Sequence, residues 1–335
     1  MTDPLRVHGD EEVHAGLLDL ATNVRESAPP PWLVSRLERS LRTLGRHPDP
    51  RHATRAVASR HGREDDEVLV TAGAAEAFVL LARALRPRHA VCVHPGFTEP
   101  EAALRAAGHP VHRIVLEPPY RLDPAQVPEE ADLVVVGNPT NPTGLLHEGL
   151  GALCRPGRVT VVDEAFMDAV PGEPGGLGGA RLPGLVVVRS LSTTWALAGL
   201  RAGYLLAEPG LVRLLRAAQP LWAVSSPALA ALDVCSGRGP VKQAERDAAA
   251  VSALRERLEV ALTALGVEVS PGSRAPFLLC RVPGRPDVRE GLRNKGIAVR
   301  RGETFPGLTA EHWRTAVRDE ASSDALLTAL AEVLA

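Results

Sequence analysis

Seven short apolar runs between residues 67 and 207 restrict this chain more than any other feature. They are EVLVT (67–71), AVCVH (90–94), HRIVL (112–116), DLVVVGN (132–138), RVTVVDE (158–164), LVVVRS (185–190) and AGYLLA (202–207). Several are apolar throughout instead of alternating with polar residues, as expected of strands buried on both faces of a largely parallel sheet. AAEAFVLLARAL (74–85) and EPEAALRAAG (99–108), lying between them, carry helical spacing and complete a βαβ rhythm. An α/β fold with a mostly parallel, seven-stranded sheet is therefore expected.

Beyond residue 236 the rhythm changes. A charged helix over roughly 240–265 leads to a strand at 277–282, a helix near 286–295, strands near 297–300 and 313–318, and a last helix over 321–334. We read this as a smaller α+β domain. The expected organisation is an N-terminal arm (1–39) packing with the small domain, a large domain (40–235) and the small domain (236–335), with the long helix as hinge. A chain of 335 residues has room for two cores.

A formal net charge of −2 gives no electrostatic reason to expect nucleic acid or an anionic membrane. No run approaches the ~20 apolar residues of a membrane span, and the polar start MTDPLRVHGDEEVHAG does not read as a signal peptide. Cys92, Cys154, Cys235 and Cys280 show no CxxC spacing, so free thiols in a reducing cytoplasm are expected, with no metal site.

In open α/β sheets ligands bind beyond the carboxyl ends of the strands. TAGAAEA (71–77) follows such an end with small residues at a helix start, where backbone N–H groups hold a phosphate or merely pack closely. GNPTNPTG (137–144) fixes a rigid turn presenting asparagines, or serves only as a structural loop. VVDEAFMD (161–168) ends an apolar strand in acid; a buried carboxylate needs a partner, and a helix cap or core ion pair would also satisfy it. RSLSTTWALAGLRAGY (189–204) reads as a strand end followed by a helix start, with serines before and an arginine after a small-residue run.

Taken in order, these motifs resemble those of the fold-type I pyridoxal phosphate enzymes. They are most similar to the branch of histidinol-phosphate aminotransferases and threonine-phosphate decarboxylases, and the resemblance runs from HGD (8–10) and LATN (20–23) to WRTAVRD (313–319). It implies the class I/II aminotransferase fold and a homodimer with sites at the subunit interface. It also implies a cofactor pocket. Gly73, Ala74 and Ala75 would bind the cofactor phosphate with Ser190, Ser192 and Arg201; Phe97 would stack on the pyridine ring. Asn141 would bond the ring hydroxyl, with Phe166 where many aminotransferases carry tyrosine, and Asp163 would pair with the pyridinium nitrogen. Arg314 would clamp a substrate α-carboxylate, and Asn23 lies where the arm closes over substrate. Arg300 and Arg301 fit either an acidic or phosphorylated substrate tail or a solvated surface strand.

The chain departs from the family pattern at the residue that defines it. The Schiff-base lysine stands eight residues before the phosphate-binding arginine, and eight before Arg201 is Thr193. A threonine hydroxyl can neither hold the cofactor covalently nor move a proton near neutral pH; general acid–base catalysis alone contributes about 10²–10⁴-fold. The only lysines, Lys242 and Lys295, fall in the hinge helix and the small domain, away from the large sheet. Where the family often has a tyrosine reaching the phosphate of the second subunit, LGRHPDP (44–50) has His47, a phosphate contact, a base, or a neutral loop change.

Three readings follow. In the first, the protein binds pyridoxal phosphate (PLP), pyridoxamine phosphate (PMP) or a cofactor–amino acid adduct noncovalently and acts on an amino acid or related anionic substrate, not as an ordinary transaminase. In the second, a repurposed PLP-independent enzyme uses the phosphate cradle and Arg314 for another anion. In the third, a noncatalytic paralogue keeps the pocket as a ligand sensor. An engineered variant of an ordinary decarboxylase or aminotransferase remains as a fourth.

Overall fold

The computed structural model describes residues 4–25 and 29–335. Its twelve strands are β1 (Leu18–Leu20), β2 (Val68–Thr71), β3 (Ala90–His94), β4 (Val111–Val115), β5 (Leu133–Gly137), β6 (Val159–Asp163), β7 (Leu185–Ser190), β8 (Gly203–Ala207), β9 (Glu268–Val269), β10 (Phe277–Arg281), β11 (Ile297–Arg301) and β12 (His312–Ala316). The helices are α1 (Pro31–Leu41), α2 (Arg51–His61), α3 (Gly73–Leu85), α4 (Glu99–Ala106), α5 (Pro209–Ala218), α6 (Ser226–Cys235), α7 (Arg238–Ala264), α8 (Val288–Asn294) and α9 (Glu320–Leu334).

Strands β2 to β8 form the seven-stranded sheet in the order β2-β8-β7-β6-β5-β3-β4. The block β7-β6-β5-β3-β4 is parallel, and β8 runs antiparallel to both its neighbours. The unbroken apolar runs have the expected cause. Successive side chains of β7 enter opposite cores: Leu185 and Val187 face one that includes α2 and α6, Val186 and Val188 the one formed with α3, α4 and α5. Both faces being covered, no position in the run can be polar without a buried partner.

The second sheet has the order β1-β11-β12-β10-β9 and its own core with α7, α8 and α9. From the arm, β1 joins this sheet parallel to β11. Helix α1, by contrast, lies against α6 on the large-sheet side, with an Arg36–Asp233 ion pair of 3.0 Å between them. Among the described residues no helix is long and apolar enough to cross a membrane, and all four cysteines are free.

One expected element is absent. No helix begins after β7: residues 191–197 form turns, Ala198–Leu200 a single 3-10 turn, and β8 follows at once. Ala196 (φ 54°) and Arg201 (φ 56°) take left-handed backbone, which ends a right-handed helix, while Leu191, Trp195 and Leu197 turn into the core. The arginine is thereby delivered by a turn at the mouth of β8.

That mouth is tightly built. A Cβ added to Gly203 would stand 2.7 Å from the Gly73 carbonyl carbon and 3.0 Å from the Ala74 nitrogen. Gly203→Ala is therefore expected to lower stability by about 1–3 kcal/mol through overpacking against backbone, read as a lower urea midpoint at unchanged m-value; an unchanged midpoint would show that α3 moves freely away from β8.

Candidate active site

Every motif singled out at a strand end opens on the carboxyl edge of the large sheet. At the start of α3, Gly73 has φ +77°, and a Cβ there would meet the Arg201 guanidinium at 2.6 Å. Glycine thus lets Arg201 lie directly over the first amides of α3, whose unpaired N–H groups attract anions. Arg201 Nη1 donates to the Ala198 carbonyl at 2.9 Å and the side chain stays exposed. Ser190 Oγ lies 3.1 Å from Ser192 Oγ and accepts from the Ser192 amide at 3.2 Å. A cradle of backbone amides, two hydroxyls and one guanidinium is the chemistry of a phosphate site.

A small cavity beside it is lined by Phe97, Asn141, Asp163 and Phe166, with Cys92 and Pro139. Asp163, the last residue of β6, is buried, and among the described residues no cation pairs with it. Its Oδ1 accepts only the Ala165 amide, at 3.0 Å. Burial pushes its carboxyl up to about 6, with that N–H opposing and Glu164 adding. The next residue shows the contrast. Glu164 meets Arg189 at 2.7 Å, and Arg189 also holds Asp168 at 2.6 Å and Glu173 at 2.7 Å. Arg60 adds a second cation at 2.9 Å from Asp168; burial opposes ionisation there, but Arg60 and Arg189 bring the Asp168 carboxyl down to about 2. The alternative of a core ion pair belongs to Glu164 and not to Asp163.

Across the domain boundary, Arg314 of β12 is fully enclosed. Its Nη1 donates to Asn141 Oδ1 at 2.6 Å, its Nη2 to the Ala21 carbonyl, and its Nε has no partner. Burial takes this guanidinium down to about 9, with Arg300 adding and Asp19 opposing. A buried cation without a carboxylate is costly unless a ligand supplies one. Asn141 is thus the joint between the two halves, committing its oxygen to Arg314; its amide nitrogen makes no hydrogen bond among the described residues.

Arg300 resolves the choice left open for it. It is 3% exposed, cross-strand from Arg314, 5.1 Å over the Phe305 ring, with Nη2 on the Val7 carbonyl and Nη1 without a partner. Burial lowers it to about 10, Glu12 opposing. Arg301 instead binds Glu12 with its side chain partly exposed, so the solvated-strand alternative fails for Arg300.

Three residues lie elsewhere. Thr193 lines a separate cavity with Asn23, Arg25, Ala248, Ala316 and Asp319, between the domains; both polar side-chain atoms of Asn23 are buried without a partner. His47 is on the outer surface, its ring stacked on Trp222 at 3.9 Å and 11°. Sequence reasoning missed the Arg189 cluster, although one arginine inside the apolar run LVVVRS was its signal. It also missed His8, whose ring is 5.5 Å from that of Phe97 and whose Nε2 is 2.8 Å from Glu99. Among the described residues no group of His, Cys, Asp and Glu is placed to hold a metal.

The family model for aminotransferase class I and II matches residues 15–330. A histidinol-phosphate aminotransferase of Mycobacterium tuberculosis (strain H37Rv) is 50% identical over 327 residues, covering 95% of this chain and 89% of that protein. The threonine-phosphate decarboxylase of Salmonella typhimurium is 32% identical, covering 95% and 91%. The crystal structure of the histidinol-phosphate aminotransferase from Clostridium acetobutylicum superposes with a TM-score of 0.86 at 23% identity, covering 95% and 99%, and shares the fold.

Asp163 supplies a pH test. A folded-state carboxyl raised above its unfolded value retains its proton longer than the unfolded chain, so its contribution to stability is lost as pH rises from about 4 to about 6. Asp163→Asn should remove that slope and leave the protein about 2–3 kcal/mol more stable than wild type at pH 7.5, the equivalent of a shift of about two units, with little difference at pH 4. Urea unfolding at the two pH values measures it, and equal losses at both would contradict an unpaired buried Asp163.

Proposed function

The chain belongs to the aminotransferase class I and II family, and from that premise we propose that it binds PLP or PMP noncovalently and acts on an amino acid or related anionic substrate without running ordinary transamination. The observation that carries the reading is Asp163: buried, without a cation, at the base of a cavity bordered by aromatic rings, while Glu164 beside it is fully paired. Such an acid has a use if a pyridinium nitrogen completes the pair. When bound, the cofactor supplies an electron sink for charge developing on the substrate.

The remaining assignments are properties of this chain's own residues. The α3 amides, Ser190, Ser192 and Arg201 would hold the phosphate; Phe97 would cover one face of the ring and Asn141 would orient its hydroxyl. Arg314, lacking a carboxylate, would take the substrate's α-carboxylate, and Arg300, one strand away with a free Nη1, would take an acidic tail. Both carry unsatisfied donors in a dry setting, where an anion is held far more strongly than in water. His8 and Glu99 border Phe97 from the arm side. His47 would serve the phosphate of a second copy in a homodimer. A cytoplasmic setting, where the four thiols stay reduced, completes the reading.

Thr193 decides what the site does not do. With no amine there, no side chain at this position takes up the cofactor covalently, and none moves a proton between substrate and cofactor. The reactions of the two named relatives are therefore not transferred to this chain; a phosphorylated amino acid such as threonine phosphate, with one carboxylate and one phosphate, suits the paired arginines.

Calorimetry with PLP tests the reading. Saturable binding is expected, with the absorbance of a free aldehyde and no mass increase after borohydride. Thr193→Lys should gain a borohydride-stable mass increase of one cofactor. Absence of saturable binding of either vitamer to the folded protein would overturn the proposal.

A further inference from the structure

Between the arm and α7 lies a cavity of about 250 Å³ that shares none of its lining residues with the one holding Asp163. Ala244, Ala248 and Val251 of α7 form one wall and Ala316 and Val317 at the end of β12 another, with Thr193 and Thr194 contributed by the turn after β7. An apolar cavity of about 150 Å³ is already enough for benzene, so this one has room for a substituted ring.

Three buried polar atoms on its lining residues have no hydrogen-bond partner among the described residues: Asn23 Oδ1, Asn23 Nδ2 and Thr194 Oγ1. Thr194 is only 6% exposed. A buried amide without a partner is costly. Solvent relieves it poorly here, because each ordered water needs about 2–4 polar partners and aliphatic walls provide few. The charged side chains on the lining, by contrast, are all engaged. Arg25 meets Asp247 at 2.9 Å and Arg318 meets Asp19 at 3.2 Å. Asp168 is held by Arg60 and Arg189, and Asp319 accepts the Ser322 amide at 2.7 Å. What the cavity offers a ligand is therefore a donor and an acceptor on one amide, and one hydroxyl.

The geometry points to a second ligand site here, for a small neutral molecule that joins a carboxamide to an apolar body. A carboxamide pairs with the Asn23 side chain through two N–H···O bonds, each amide donating to the oxygen of the other, while the body packs on Ala244, Ala248 and Val251. An ion, unlike a neutral molecule, would have to break an existing pair to find its counter-charge. The site stands apart from the PLP reading, since it uses neither Asp163 nor the phosphate cradle. Its walls come from the arm, the turn after β7, α7 and the second sheet, so an occupant also holds these four pieces in one arrangement.

Benzamide is the probe, measured on the full chain by calorimetry and by melting temperature. Saturable binding to one site is expected, with a Kd of about 1 mM for a ligand of this size and a melting temperature about 2 °C higher at ten times that concentration. Acetophenone, of the same shape but without the N–H donor, should bind about tenfold more weakly. Asn23→Leu removes donor and acceptor at similar volume; it should weaken benzamide about tenfold without lowering the melting temperature of the unliganded protein. Ala248→Phe fills the cavity from α7 and should abolish binding, and Ala248→Leu, a smaller plug, should weaken it. No saturable binding to the folded protein, equal affinity for benzamide and acetophenone, or wild-type affinity in Asn23→Leu would overturn the inference. So would simple competition between benzamide and PLP, which would put the probe in the cofactor cavity. Benzamide binding that depends on Asn23 in a protein that takes up no PLP would remove the cofactor reading and uphold this one.

Discussion

Arg189 is the cation around which the carboxyl edge of the large sheet is organised. From the end of β7 it reaches Glu164, Asp168 and Glu173 while almost wholly out of water. Three acids compete for it, and Arg60 relieves only two of them. Removing either cation would strand buried charge, which costs more than the pair contributes. The cluster secures the segment after β6 and occupies both Arg189 and Arg60. Asp163, one residue from Glu164 and on the other side of the strand, pairs with no cation among the described residues.

The second half of the site depends on a similar shortage. Arg300 and Arg314 are cross-strand neighbours, both buried, and among the described residues neither forms an ion pair with a carboxylate. Arg314 donates only to an amide oxygen and a backbone carbonyl, weaker acceptors that an arriving carboxylate can replace or join. One domain thus holds an acid awaiting a cation, the other two cations awaiting anions. Asn141 connects them through its bond to Arg314. Such opposite, unfilled demands are what a zwitterionic or anionic ligand seated with a protonated ring would meet.

Much of this was legible beforehand, and the reasons are specific. The apolar runs predicted β3 and β7 to the residue, because a strand buried on both faces leaves no other pattern for its side chains. Asp163 stood out as an acid ending such a run. Where reading failed, the cause was an interaction distant in sequence or a local backbone twist. The helix expected after β7 is absent because Ala196 and Arg201 turn left-handed to bury Trp195, and helical spacing does not reveal that. For Arg300 and Arg301 the sequence left a substrate tail and a solvated strand both open; only the arm, through Val7 and Glu12, separates the two fates.

The sequence by itself determined the α/β layering and the family resemblance, since each is a matter of residue type at fixed spacing, and it puts a threonine at position 193. Tertiary structure alone decided which acid is paired, which arginines are free, that Thr193 faces a cavity other than the one holding Asp163, and that His47 stands outside on Trp222. Charge pairing and burial depend on residues 16 to 293 positions apart, and no local pattern records which of several candidate partners arrives.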